Sequence, residues 1–172
     1  TVCSGTTGVC GSSAPYRESD QAHTDTGFFH VFHRAVFDSD SATVALQIHG
    51  FGSDPEDPEF TFSDGRTSNQ PAGHISNELA SALEILTAAA GSTKGGNSCN
   101  DSSGFNLLCG TTNTQGRYSN GVAQGLACGT SSSSASQRFI HMEMSFSLRS
   151  PTGSLGPWLV SQAVETVFPI AP

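Results

Sequence analysis

Lysine is almost missing from this chain: Lys94 is the only one in 172 residues, and the formal net charge is −8. A surface of that sign excludes nucleic acid and anionic membrane surfaces as partners. Charged residues of either sign are scarce, at 13%, but 35% of the chain is apolar and gathered in runs. That composition describes a loop-rich globular protein and excludes a disordered one. No apolar run approaches the length of a membrane span. Cys-x-x-Cys pairs are lacking, which favours disulfides over cysteine-based metal sites, and a Gly-x-Ser-x-Gly elbow is lacking, which makes a serine hydrolase a distant third reading. No secretory leader is visible, and a chain that starts at Thr1 reads as already processed.

Five cysteines are present: Cys3, Cys10, Cys99, Cys109 and Cys128. All lie in Gly/Ser/Thr/Asn-rich stretches, so disulfides in an oxidising compartment are expected, and with them an extracellular, secreted or periplasmic setting. Cys3–Cys10 reads as a local loop, and Cys109 pairs with either Cys99 or Cys128. The odd count leaves one thiol over, either free or paired with a cysteine on a segment outside this chain.

The length suits one domain spanning 1–172, or the C-terminal part of a larger domain or precursor. Ser19-Asp20 offers side-chain oxygens for a helix start, and Phe28, Val31, Phe32, Ala35 and Val36 follow at helical spacing, as a stripe facing a core. His30 and His33 fall off that stripe and read as solvated. Residues 43–48 form a short buried strand that stops at His49-Gly50. Residues 53–74 read as a long acidic, proline-broken loop containing the apolar piece Phe60-Thr61-Phe62. A helix is expected from about Ser76 to Ala90, with Leu79, Leu83 and Leu86 inward and Gly91 as its stop. Residues 91–136 are the least regular. Order returns with a strand over 137–146, whose alternation places Ile140, Met142, Met144 and Phe146 on one face. The opposite face carries Phe139, His141, Glu143 and Ser145. A last helix begins near Ser154 or Pro157 and ends before Pro169. The expected fold is α/β: a mixed central sheet with flanking helices, loop-rich and disulfide-stapled.

Two residues stand out chemically. His49 sits at the C-terminal end of its strand, where open α/β sheets place ligands. Glu143 lies midway along an apolar strand, where a carboxylate must be paired, protonated or used. Its structural reading is an ion pair with Arg138, Arg149 or Arg117. Its functional reading is a carboxylate of raised pKa acting as general acid/base beside a metal-bound water. Arg117 is the candidate for a bidentate grip on a substrate carboxylate, assisted by the Asn113 amide. His74 and His141 are unassigned, although His141 shares a strand face with Glu143 and can orient it.

Three stretches, taken in order, resemble the zinc-dependent N-formylglutamate amidohydrolase and poly-γ-glutamate hydrolase group, relatives of the zinc carboxypeptidases. They are Leu46-Gln47-Ile48-His49-Gly50, then Phe62-Ser63-Asp64-Gly65, then Ile140-His141-Met142-Glu143-Met144-Ser145-Phe146-Ser147-Leu148-Arg149. The resemblance runs over about residues 19–149 and implies that His49 is a Zn2+ ligand and Glu143 the general acid/base. Enzymes of that group carry a further ligand motif, a histidine with a nearby acid, on an earlier strand that this chain lacks. Asp20 and His23, three apart at a helix start, form a substitute pair on one helical face. The competing explanations are a missing N-terminal segment that supplies the ligands, and a lost site on a fold that now serves binding or assembly.

Two functional classes follow. The first is a secreted zinc-dependent amidohydrolase or peptidase, acting on an amide bond of an acidic small-molecule or peptide substrate. The second is a non-catalytic extracellular subunit of a filament, surface layer or adhesive, which self-assembles through its Ser/Thr/Gly-rich exterior.

Overall fold

The structure is a computed structural model that describes residues 6–7, 16–17, 20–52, 58–66, 73–99, 108–149 and 156–169. Its elements in chain order are β1 (Thr6–Thr7), β2 (Tyr16–Arg17), a 3-10 turn (Gln21–His23), α1 (Phe28–Ser39), β3 (Ala45–Phe51) and β4 (Phe60–Ser63). There follow α2 (Ile75–Ala89), β5 (Gly96–Ser98), α3 (Thr114–Ser119), a second 3-10 turn (Gln124–Leu126), β6 (Phe139–Ser145), α4 (Phe146–Arg149) and α5 (Gly156–Val167). β1 and β2 pair antiparallel, and the main sheet has four strands in the order β3-β6-β4-β5. β6 runs parallel to β3 and antiparallel to β4, and β4 runs parallel to β5. The mixed α/β architecture agrees with the sequence reading.

The sheet has one apolar and one polar face because β6 alternates as its sequence requires. Ile140, Met142 and Met144 meet Phe60 and Phe62 of β4, and α2 and α5 close over them with Leu79, Leu83, Leu159, Val160 and Ala163. α2 and α5 were legible almost to the residue from their apolar spacing. Phe146 departs from the expected alternation: it opens α4 and is exposed.

Other expectations fail for identifiable reasons. β4 lies between two strands with all four residues buried, where the sequence suggested only an apolar piece in a loop. At four residues it is too short to show periodicity, and β5 and α3 are shorter or glycine-interrupted. β3 continues through His49 and Gly50 to Phe51, so His49 is a strand residue rather than a strand end. Gly50 lies under the Arg149 side chain: a Cβ there would stand 2.4 Å from Arg149 Nε and would displace that side chain, whose Nη2 donates to Phe51 O at 3.0 Å.

α1 presents the opposite stripe to the one expected. Phe28, Val31 and Phe32 are 83%, 54% and 56% exposed, while His30 is fully buried and Phe37 is buried too. The inward set of His30, His33, Arg34 and Phe37 has the same helical spacing, so periodicity alone could not choose between the two. Ring partners decide it. His30 meets Tyr118 edge-on, His33 stacks on Phe37 and meets Phe139, and the Arg34 guanidinium lies over Tyr118. His33 Nε2 also bonds Ser119 Oγ at 2.8 Å, so neither histidine is solvated.

Of the two pairings open to Cys109, the structure has Cys99–Cys109, and Cys128 is disulfide-bonded as well. Cys3–Cys10 falls outside the described residues.

Candidate functional site

The polar face of the sheet carries the site. Parallel pairing sets Gln47 beside His141 and His49 beside Glu143, with all four side chains on the face opposite the apolar core. The imidazoles of His49 and His141 lie 4.7 Å apart, centroid to centroid. His141 Nε2 is 3.3 Å from Glu143 Oε1 but out of line for a hydrogen bond, and it is buried with no other hydrogen-bond partner among the described residues.

The 3-10 turn closes the site from the N-terminal side. Asp20 caps it, accepting from Ala22 N at 3.3 Å. Its carboxylate then faces two histidines: Oδ2 is 3.7 Å from His23 Nε2, and Oδ1 is 4.0 Å from His49 Nδ1. The turn is held in place by α3. Thr114 Oγ1 donates to Ala22 O (2.9 Å) or Thr24 O (3.0 Å), and Gln115 Nε2 donates to Gln21 O at 3.1 Å. Asp20 and His23 thus reach the strand residues although their helix start is only a single 3-10 turn.

Behind the histidines lies a chain of buried amides. Gln47 Nε2 donates to Gln115 Oε1 at 3.3 Å, and Gln47 Oε1 accepts from Asn113 Nδ2. Asn113 Nδ2 also lies 3.3 Å from His141 Nδ1, while Asn113 Oδ1 caps α3 by accepting from Gly116 N at 2.9 Å. His49 Nε2 donates to Gln47 Oε1 at 3.3 Å, and His23 Nδ1 donates to Thr112 O at 3.2 Å. A carbonyl oxygen only accepts, so in both rings the other nitrogen carries the lone pair when the ring is neutral. Those two nitrogens are the ones turned to Asp20.

Burial keeps the rings neutral. It pushes the His49 pKa down to about 4, with neighbouring His141 adding to the effect and Glu143 and Asp20 opposing it. His23 is lowered by the same cause, against the pull of Asp20.

Of the residues singled out from the sequence, Asp20, His23, His49 and Glu143 come together. Asn113 borders them, but its amide is fully buried and bonded inside the protein. Arg117 is elsewhere in its bonding: 3% exposed, it donates from Nε to Thr111 O at 3.0 Å and from Nη1 to Ala127 O and Cys128 O at 3.2 and 2.7 Å. It fastens the irregular segment after α3 and does not present its guanidinium to a substrate. His74 caps α2, accepting from Ser76 N at 3.2 Å. Gln47, His141 and Gln115 were not assigned from the sequence. The signal for the first two was there, as polar residues two apart from His49 and Glu143 on otherwise apolar strands. Glu143 faces the His141 ring, while Arg138 bonds Thr43 O, Phe37 O and Asp40 O.

No known family, curated protein or solved structure matches the chain. No group of three or more His, Cys, Asp or Glu among the described residues is already arranged to hold a metal ion.

Proposed function

We propose that the chain is a secreted zinc-dependent hydrolase of amide bonds, with Asp20, His23 and His49 as metal ligands and Glu143 as general base. The observation that carries this reading is the pair of imidazole nitrogens, His23 Nε2 and His49 Nδ1, turned toward one carboxylate at 3.7 and 4.0 Å. Two imidazole nitrogens facing one carboxylate are a donor set of the kind that zinc takes. Each ring donates its other N–H to an oxygen, Thr112 O or Gln47 Oε1, which is the outer-shell pattern of metal-binding histidine. The set is not drawn tight, and Asp20, 30% exposed in its side chain at the head of a turn, is the ligand with room to close.

Bound zinc would supply Lewis-acid polarisation of the scissile carbonyl and acidify a water. Glu143, in register beside His49, takes the proton of the attacking water and passes it to the leaving nitrogen. The resemblance of its motif order to that of N-formylglutamate and poly-γ-glutamate hydrolases supports amide hydrolysis. The expectation of an acidic substrate rested on Arg117, and its buried bonding withdraws that support. The Cys99–Cys109 bond supports an oxidising, extracellular compartment.

Metal analysis of natively purified protein tests the reading. Stoichiometric zinc, lost in His49→Ala and in His23→Ala, is expected; native protein that takes up no zinc when dialysed against it defeats the proposal. The outward stripe of Phe28, Val31, Phe32 and Val36 favours a second reading, a non-catalytic assembly subunit. Ordered polymers of metal-free native protein in electron micrographs would establish that reading instead.

A further inference from the structure

We propose that His141 is a catalytic hydrogen-bond donor to the substrate carbonyl, its proton held on Nε2 by the amide of Asn113. This rests on the hydrolase reading above but concerns residues outside its ligand set.

The argument is one of hydrogen-bond direction. At one end of the amide chain, Gln115 Nε2 lies 3.1 Å from Gln21 O and 3.4 Å from Thr24 O, which can only accept. Gln115 Oε1 must therefore face Gln47, and Gln47 must turn Nε2 toward it. At the other end, Asn113 Oδ1 receives the Gly116 N–H, which can only donate. Asn113 Nδ2 is thereby fixed as the donor, with one hydrogen for Gln47 Oε1 and one for His141 Nδ1. Both amide orientations are set by backbone groups and are not free to flip.

The two neighbouring histidines accordingly hold opposite tautomers. His49 carries its hydrogen on Nε2 and keeps Nδ1 as a lone pair. His141 accepts at Nδ1 and carries its hydrogen on Nε2, the buried nitrogen that has no aligned partner. His141 is thus disqualified as a metal ligand: one nitrogen is occupied and the other is protonated. What remains is an N–H beside Glu143, fixed in a packed ring. A Cβ on Gly110 would stand 2.5 Å from His141 Cγ, so the backbone lies directly against the imidazole.

A preorganised buried donor next to a general base fits the needs of acyl transfer. The water oxygen bonds to the carbonyl carbon as Glu143 takes its proton, and the π pair of the carbonyl moves onto oxygen. That oxygen accepts the His141 Nε2–H. Protonation of Glu143 weakens its own competing pull on this hydrogen at the same moment. As the C–N bond breaks, Glu143 returns the proton to nitrogen and the oxygen re-forms the carbonyl.

The test uses the full chain with 15N-labelled histidine. Long-range 1H–15N correlation of the metal-free native protein at mildly alkaline pH should show the Nε2–H tautomer at His141. Asn113→Asp, which replaces the donor with an acceptor, should move the hydrogen to Nδ1. With N-formyl-L-glutamate and poly-γ-glutamate as probes, His141→Leu should lower kcat by about 100-fold or more, with KM and zinc content unchanged. His141→Gln, which returns an N–H near the same place, should recover at least about a tenfold share of that loss. An Nδ1–H tautomer in the native protein, or undiminished kcat in His141→Leu, overturns the donor role while leaving zinc binding intact. Absence of zinc and of turnover with the Nε2–H tautomer present overturns the hydrolase reading, and the donor role falls with it. Should Asn113→Asp not fold, the two His141 variants decide.

Discussion

Gly110 links the fold to the site closely enough for a quantitative prediction. Its φ is +64°, and a Cβ added there would meet His141 Cγ, Nδ1 and Cδ2 at 2.5, 2.7 and 2.8 Å. Gly110→Ala therefore carries two separable penalties. The left-handed backbone conformation costs an L-residue about 1–2 kcal/mol. The steric clash adds about 1–3 kcal/mol, as for overpacked cores. The ring cannot swing aside, because Asn113 holds Nδ1 and the ring lies tilted against His49, 4.7 Å away centroid to centroid. Gly73→Ala isolates the first penalty: its φ is +80°, yet nothing lies within 4 Å of the added carbon. Equilibrium urea denaturation with disulfides intact is the assay. The Gly110 variant should lose about 2–5 kcal/mol and the Gly73 variant about 1–2 kcal/mol. At a slope of about 2 kcal/mol per M, the excess shifts the midpoint by roughly a further 0.5–1.5 M. Coincident midpoints for the two variants would refute the claim that the backbone of residue 110 presses on His141.

Two further perturbations probe the supports of the site. Burial pushes the His33 pKa down to about 4 from its ordinary 6.5. The unfolded chain therefore binds the proton more readily, and His33's contribution is complete above about pH 6.5 and fades as pH falls toward 4. After allowance for the ring's partial exposure, it is on the order of 2 kcal/mol. His33→Gln should flatten the stability profile across that window, and parallel profiles for variant and native protein would contradict the assignment. Removing the Cys99–Cys109 bond by a double alanine substitution frees a link with a sequence separation of 10 residues. The chain-entropy argument gives a loss of about 3 kcal/mol. Cys109 O also accepts from Ser63 Oγ at 2.6 Å, and Ser63 pairs with His141 across the sheet, so on the proposed hydrolase reading zinc affinity should fall along with the thermal midpoint. Unchanged zinc affinity would show that this loop is not a support of the site.

The parts of the fold readable from sequence were those with a repeating apolar signal long enough to fix both element and face. α2, α5 and β6 meet that condition: Leu79 and Leu83 of α2 and Ile140, Met142 and Met144 of β6 face inward as expected, and the β6 pattern fails only at Phe146, where α4 begins. α1 had the signal twice, since residues 28, 31, 32, 35 and 36 and residues 30, 33, 34 and 37 are both helical stripes. Hydrophobicity favoured the first, but the second had Tyr118 and Phe139 to pack against, and no reading of a single segment can see a ring that is 85 or more positions away. The candidate site was legible as far as Asp20, His23, His49 and Glu143, because each is a polar or acidic residue in a telling local context. Arg117 misled because a glycine-flanked arginine in a loop resembles a ligand arm. The three backbone carbonyls it bonds among the described residues leave no mark on the sequence.

The arrangement of buried amides explains why this protein tolerates so much polarity beneath its sheet. Gln115, Asn113 and Thr114 are fully buried and Gln47 nearly so, an expensive set unless every donor finds an acceptor. Following the bonds, each amide is satisfied in turn, from the carbonyls of residues 21 and 24 to the Gly116 N–H. The network stops at the histidines: His49 Nδ1 stands 4.0 Å from Asp20, and His141 Nε2 lacks an aligned acceptor. Folding alone would be served as well by apolar residues at positions 47 and 141, each adjacent to the other across two parallel strands. The amide network is satisfied up to the point where it meets these rings, and the unmet capacity of His141 Nε2, with that of Thr61 Oγ1 opposite Glu143, falls at the polar face where the proposed substrate would sit.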